Sequence, residues 1–166
     1  QIKDASLELL TSIKELGIEM QNTQYKFIIK PHPNLDISKI LNSDSLKSMP
    51  NNISISNEDV DKLLDDYLIT IFMSTGAAYN AVINGNIVLN LRSELNLSDN
   101  YLDIFKNDFK FIDSHSLDSI TNILVEFSKN DEKIGQYTKE FDRLRDYLIN
   151  GMNLVNEINL SKFKPN

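Results

Sequence analysis

The chain has 166 residues, 41% of them apolar and 25% charged, enough for one globular domain with its own core and too few for a second. Its formal charge of −7 comes from acids spread along the sequence, which argues against the basic face a nucleic-acid partner needs. With no cysteine, no stretch of membrane-spanning length and no signal-peptide pattern at the start, disulfide and thiol chemistry are excluded, and a cytoplasmic protein without a transmembrane segment is expected.

Helical and strand patterns alternate along the chain. Leu9, Leu10, Ile13 and Leu16 mark one helical face, and Gly17 is placed to cap its end. A strand follows around Tyr25 to Lys30. The polar stretch 34–52 reads as loop with a short helix near Ile37 to Leu41. Ile53-Ser54-Ile55 makes a brief strand, and Ser56 or Asn57 can cap a short helix from Glu58 to Leu64. Tyr67 to Met73 is a continuously apolar run of the kind that parallel sheets bury on both faces. Ala77 to Ile83 reads as a helix ended by Asn84-Gly85, and Ile87 to Leu91 as the next strand. Phe109 to Ile112 reads as the last strand. After it, Leu117, Ile120, Ile123, Leu124 and Phe127 trace a helical stripe, and a long closing helix carries Ile134, Tyr137, Phe141, Leu144 and Leu148.

This order predicts an α/β domain over residues 1–166: a Rossmann-like parallel sheet flanked by helices, with 151–166 as a carboxyl-terminal tail. In that tail Met152, Leu154, Val155 and Ile158 form an apolar pattern that should fold back on the domain or self-associate. Sheets of this kind normally begin with a strand, whereas this chain begins in a helix. A first strand, and with it a partner domain, is therefore expected before Gln1.

Two strand-to-turn segments carry the chemistry: Phe27-Ile28-Ile29-Lys30-Pro31-His32-Pro33 and Leu68-Ile69-Thr70-Ile71-Phe72-Met73-Ser74-Thr75-Gly76. In an open parallel sheet the ligand sits outside the carboxyl ends of the strands, near the point where strand order reverses. Lys and His at one strand end supply donors. Ser-Thr-Gly at the other opens a helix whose first N–H groups attract an anion. Each turn also has a plainer use, since two prolines make a rigid strand exit and Ser74-Thr75 can simply cap a helix. Their co-occurrence favours a phosphate-bearing ligand. His115 could reach the same edge, although a capping loop explains it better, and Arg92 after the Ile87 to Leu91 strand could meet a phosphate or serve as solvated surface. Asp59-Val60-Asp61 matches an acid-x-acid pattern but falls in the first turn of an expected helix, so no metal or other cofactor is expected.

The order Lys30-Pro31-His32-Pro33, Asp66 to Thr70, Ser74-Thr75-Gly76-Ala77-Ala78-Tyr79-Asn80-Ala81 and Gly85 to Leu89 resembles the carboxyl-terminal, donor-binding half of GT-B glycosyltransferases. Within that group it is similar to the enzymes of bacterial capsule and surface-carbohydrate biosynthesis, including polyglycerolphosphate transferases and bacterial sialyltransferases. The resemblance covers Phe27 to Leu91. It implies transfer of a sugar or polyol phosphate from a nucleotide carrier (CMP, CDP or UDP, cytidine favoured) to a growing surface glycan, at the cytoplasmic side of a membrane. It further implies that His32 is the catalytic contact to the donor phosphate or nucleotide, that Lys30, Ser74, Thr75 and Gly76 bind the donor phosphates, and that the catalytic base belongs to an amino-terminal domain. Where many relatives carry Glu to hold the ribose, this chain has Asn80, which can bond but carries no charge. Two alternatives stand beside this one: an enzyme like the nucleotide-sugar 2-epimerases, and a noncatalytic binding module of the same fold.

Overall fold

The computed structural model describes residues 5–31, 48–74, 76–94 and 100–162. The expected short helix near Ile37 to Leu41 lies outside them, as do His32, Pro33 and Thr75.

Helix α1 (Ala5–Glu19) buries Leu10, Ile13 and Leu16, with Met20 just beyond its end. These residues recur at three- and four-residue spacing, so they share one face. Gly17 lies inside this helix and does not cap it. Its role is close packing: a Cβ there would sit 2.4 Å from Ile53 Cδ1 and 2.8 Å from Cγ1. Only a residue without a side chain lets the helix approach the strand this closely.

Among the described residues five short strands follow, arranged in two parallel sheets where a single sheet was expected. In the first, β1 (Phe27–Ile29) pairs with β2 (Ile53–Ile55), with Phe27 opposite Ile53. In the second the order is β3 (Ile69–Phe72), β4 (Ile87–Leu91), β5 (Ser114–His115), with Ile69 opposite Ile87 and Leu91 opposite His115. The fully buried strand is β4, at all five positions. On β3, expected to be buried on both faces, only Phe72 is buried, because one side of the strand has no neighbour among the described residues. Phe109 to Ile112 is not a strand but a turn, in which Phe111 takes φ 66° and stacks on Tyr137 with ring centroids 3.9 Å apart. Its apolar residues fill the core, which the sequence reproduces as strand-like alternation; the last strand is the polar pair that follows.

Helix α2 (Val60–Asp66) starts later than expected, with Asp59 as its cap accepting from the Asp61 N–H at 3.0 Å, while Ser56 accepts from Glu58 N–H at 3.1 Å. Helix α3 (Ala77–Ile83) ends as expected at Gly85, whose φ of +91° suits glycine. Helix α4 (Leu117–Phe127) is capped by Ser116 and packs on β4, β5 and α1. Helix α5 (Asp131–Lys162) packs on α3 and β4, and it runs through the expected tail as far as Lys162. Together these helices cover both faces of β4, and Phe127, Phe141 and Leu144 are among the most deeply buried side chains.

The direction of α1 aligns the two sheets. Near its start, Glu8 accepts from the Ser93 hydroxyl and the Glu94 N–H, both at 2.6 Å, just past the carboxyl end of β4. Near its finish, Gly17 C=O accepts from Asn52 Nδ2 at 3.0 Å, and Asn52 C=O accepts from Phe27 N–H at 2.8 Å, at the amino ends of β1 and β2. Fifteen helical residues span about 22 Å. The helix thus descends from one edge to the other, β1 climbs back, and the carboxyl ends of both sheets share one edge.

The contact at Gly17 gives a test. Overpacking costs about 1–3 kcal/mol and the gain in helix propensity returns at most about 1 kcal/mol, so Gly17→Ala should be destabilising by about 1 kcal/mol. Combined with Ile53→Val, which removes the clashing Cδ1, the loss should be smaller than the sum of the two single losses. Urea unfolding of the four proteins measures this coupling.

Candidate ligand site at the carboxyl edge

Between the sheets lies a cleft of about 760 Å³. One side is the run from Lys26 to Pro31, which contains β1, the other is Ile69 to Ser74, which contains β3, and Leu10 and Ile13 of α1, Val60 and Leu64 of α2, and Ala77 and Ala78 of α3 wall it. From β1 the chain moves outward to β2, crosses through α2 to β3, and then moves outward the other way to β4 and β5. The cleft therefore lies where strand order reverses. Open α/β sheets bind ligands at that place, outside the strands' carboxyl ends.

Two of the sequence-predicted residues line this one cleft. Lys30, exposed at the end of β1, and Ser74, exposed at the end of β3, both line the cleft. Gly76 precedes α3 with φ −64° and ψ −16°, a conformation open to any residue, and a Cβ there would meet nothing within 4 Å. Neither backbone strain nor packing accounts for this glycine. Asn80 is exposed on α3, about one turn past Ala77, and is not among the described residues lining the cleft. His32 and Thr75 belong to the same two turns but lie outside the described residues.

Sequence reasoning passed over Asn90, which fixes the edge. It is buried in the middle sheet strand, where its Nδ2 donates to the Met73 carbonyl at 3.1 Å and its Oδ1 accepts from the Ser114 hydroxyl at 2.5 Å. One amide thereby ties the carboxyl ends of β3 and β4 to the start of β5. Met73 immediately precedes Ser74, so the bond fixes where the second turn departs. The clue was available, because Asn90 is the one polar residue in Ile87 to Leu91, and a buried amide needs partners. Lower down, Asn86 donates to the Leu64 carbonyl at 3.0 Å and to the Tyr67 carbonyl, anchoring the link from α2 to β3.

Arg92 and His115 lie on this edge away from the cleft lining. The Arg92 guanidinium donates to the Ser114 carbonyl at 2.9 Å and the Arg92 backbone N–H to the His115 carbonyl at 2.8 Å, so Arg92 extends the pairing of β4 and β5. His115 Nδ1 is 3.3 Å from the Ser119 hydroxyl, and its Nε2 is buried without a hydrogen-bond partner among the described residues. Burial pushes the imidazole below its ordinary value; Asp113 opposes the shift and Arg92 adds to it. Among the described residues no three His, Asp or Glu side chains gather as a metal site requires, and no helix is long and apolar enough to cross a membrane.

Compared with known proteins, the chain matches no family model, no curated protein and no solved structure.

The His115 shift has a definite sign. A folded-state pKa lowered by burial means that the unfolded chain takes up the proton first, so this group's contribution to stability is lost as pH falls below the ordinary imidazole value. Proton NMR titration should place the His115 midpoint below that value. Asp113→Asn should lower the midpoint further and Arg92→Gln should raise it. A midpoint at or above the ordinary value would show that the ring is not desolvated.

Proposed function

We propose that this chain is the nucleotide-donor-binding half of a GT-B-type glycosyltransferase, with a Rossmann-like fold, acting in bacterial surface-polysaccharide synthesis. The observation that carries the reading is that the Lys30 and Ser74 turns, far apart in sequence, line the mouth of one cleft where strand order reverses. The donor is a nucleotide-linked sugar or polyol phosphate, with cytidine as the favoured base, and the acceptor is a growing glycan. The work takes place in the cytoplasm, at the inner face of the membrane.

Transfer breaks the bond between the donor's transferred group and its phosphate, and negative charge grows on the departing nucleotide. Preorganised donors aimed at that charge lower the barrier. Lys30 supplies a cation, Ser74 and Thr75 supply hydroxyl donors, and His32 supplies a hydrogen bond or, when protonated, a second charge. Gly76 gives a phosphate a close approach to the backbone, a use that fits the empty space around it. The helix dipole adds little, since α3 has only seven residues. The base that activates the acceptor lies in an amino-terminal domain.

A noncatalytic binding module is the second reading. Asn80 favours it: an uncharged amide that does not line the cleft is a poor anchor for a donor ribose.

Calorimetric titration with CDP, UDP and CMP tests the proposal. Hydrogen bonds to a charged group contribute about 1.5–3 kcal/mol, so Lys30→Ala, Ser74→Ala, His32→Ala and Thr75→Val should each weaken binding about tenfold or more, with the fold unchanged. Affinity unaltered in all four variants, or no binding by the unmodified chain, would overturn the site. Asn80→Glu should tighten binding by about 1 kcal/mol if that position faces the ribose, and leave it unchanged if it does not.

A further inference from the structure

We infer that the body of the cleft is a slot for one further parallel β-strand, contributed by polypeptide directly upstream of α1, which joins the two sheets into one. The ligand site proposed above concerns the polar mouth. Below the mouth the lining is mostly apolar, with Phe27, Ile29, Ile69 and Ile71 on the strands, Leu10 on α1 and Leu64 on α2. Thr70 is the polar side chain of the strands between these positions, and the unpaired backbone groups of β1 and β3 suit another strand better than a nucleotide's charge.

Three observations point to a strand. First, β1 and β3 are each paired on one side only, and among the described residues no backbone hydrogen bond joins them across the cleft. Such free edges in an apolar setting template another strand. Second, both flanking strands are less covered than their composition calls for. All three residues of β1 and the first three of β3 are only half-buried, whereas β4, with neighbours on both sides, is buried throughout. Three successive apolar residues on β1 face both sides of their sheet, so the occupant carries apolar side chains on both faces, about four or five residues at ~3.3 Å each.

Third, the position of α1 selects the source. Its first half walls the slot through Leu9, Leu10 and Ile13, and Glu8 holds its start at the carboxyl edge beside Ser93 and Glu94. A strand rising through the slot parallel to β1 ends where α1 begins. Strand, α1 and β1 then form a single strand–helix–strand unit with its two strands adjacent, the commonest connection between parallel strands. The completed order, β2, β1, new strand, β3, β4, β5, reverses at the new strand, and the mouth with Lys30 and Ser74 stays at its carboxyl end.

The test joins a five-residue Val/Ile strand directly ahead of Gln1 and compares it with the same fusion carrying proline at the third strand position, which removes a donor that the sheet edge needs. Amide hydrogen exchange is followed in Phe27–Ile29 and Ile69–Phe72, with light scattering to report mass. The apolar fusion should slow exchange at least tenfold in both strands at once, as a monomer, and raise the melting temperature by about 5 °C or more. The proline fusion should do neither. Exchange unchanged in either strand, equal protection by both fusions, or protection that appears only as the chain dimerises would overturn the inference. Because exchange is read without nucleotide, this outcome is independent of the donor-binding proposal.

Discussion

The backbone edges of β1 and β3 are the constraint around which this structure is organised. A strand inside an α/β layer needs hydrogen-bond partners on both sides, and among the described residues these two have one each. Everything distinctive about the site follows from that gap. It leaves β3 half-buried while β4 is sealed, it opens an apolar cleft between two otherwise ordinary parallel sheets, and it sets the Lys30 and Ser74 turns on opposite lips of one mouth. With its body filled by a strand, the cleft becomes a crevice at the carboxyl edge alone. That is the form in which such sheets hold ligands.

The gap persists because other interactions hold the sheets in place. Glu8 ties the start of α1 to the exit of β4, and the Gly17–Ile53 contact ties its end to β2, so one helix spans the division. Asn90 then joins the end of β3 to the start of β5 through two carbonyls and a hydroxyl. A buried amide is costly unless its bonds are made, and here they are made to the backbone that carries Ser74. The position of the polar turn is thereby set by packing, before any ligand arrives. Preorganisation of this kind is what stabilisation of a departing phosphate requires.

Elements with strong local patterns were legible in the sequence. The spacing of Leu117 to Phe127, the strand Ile87 to Leu91, and the helix Ala77 to Ile83 with its Gly85 stop all appear where residue periodicity and turn chemistry put them. The misreadings have tertiary causes. Phe109 to Ile112 alternates like a strand because its side chains fill the aromatic core around Tyr137, yet its backbone turns. Gly17 looks like a helix stop and serves as a packing gap, which only the position of Ile53 reveals. Asn90 reads as an anomaly in an apolar run until the neighbouring strand ends are placed beside it. At the site, the sequence named Lys30 and Ser74, and the crossover from β2 to β3 explains how they come together. The division into two sheets was not legible, because strand pairing between distant segments leaves no local trace.

The central claim is that one phosphate-bearing ligand sits across both lips of the mouth. Mapping amide NMR shifts during titration with CDP tests it most directly. The account predicts that Lys30 and His32 on one lip shift together with Ser74, Thr75 and Gly76 on the other, along a single binding curve, while Ser114 to Ser116 at the far end of the edge stay fixed. Shifts confined to one lip, or centred on His115, would contradict it.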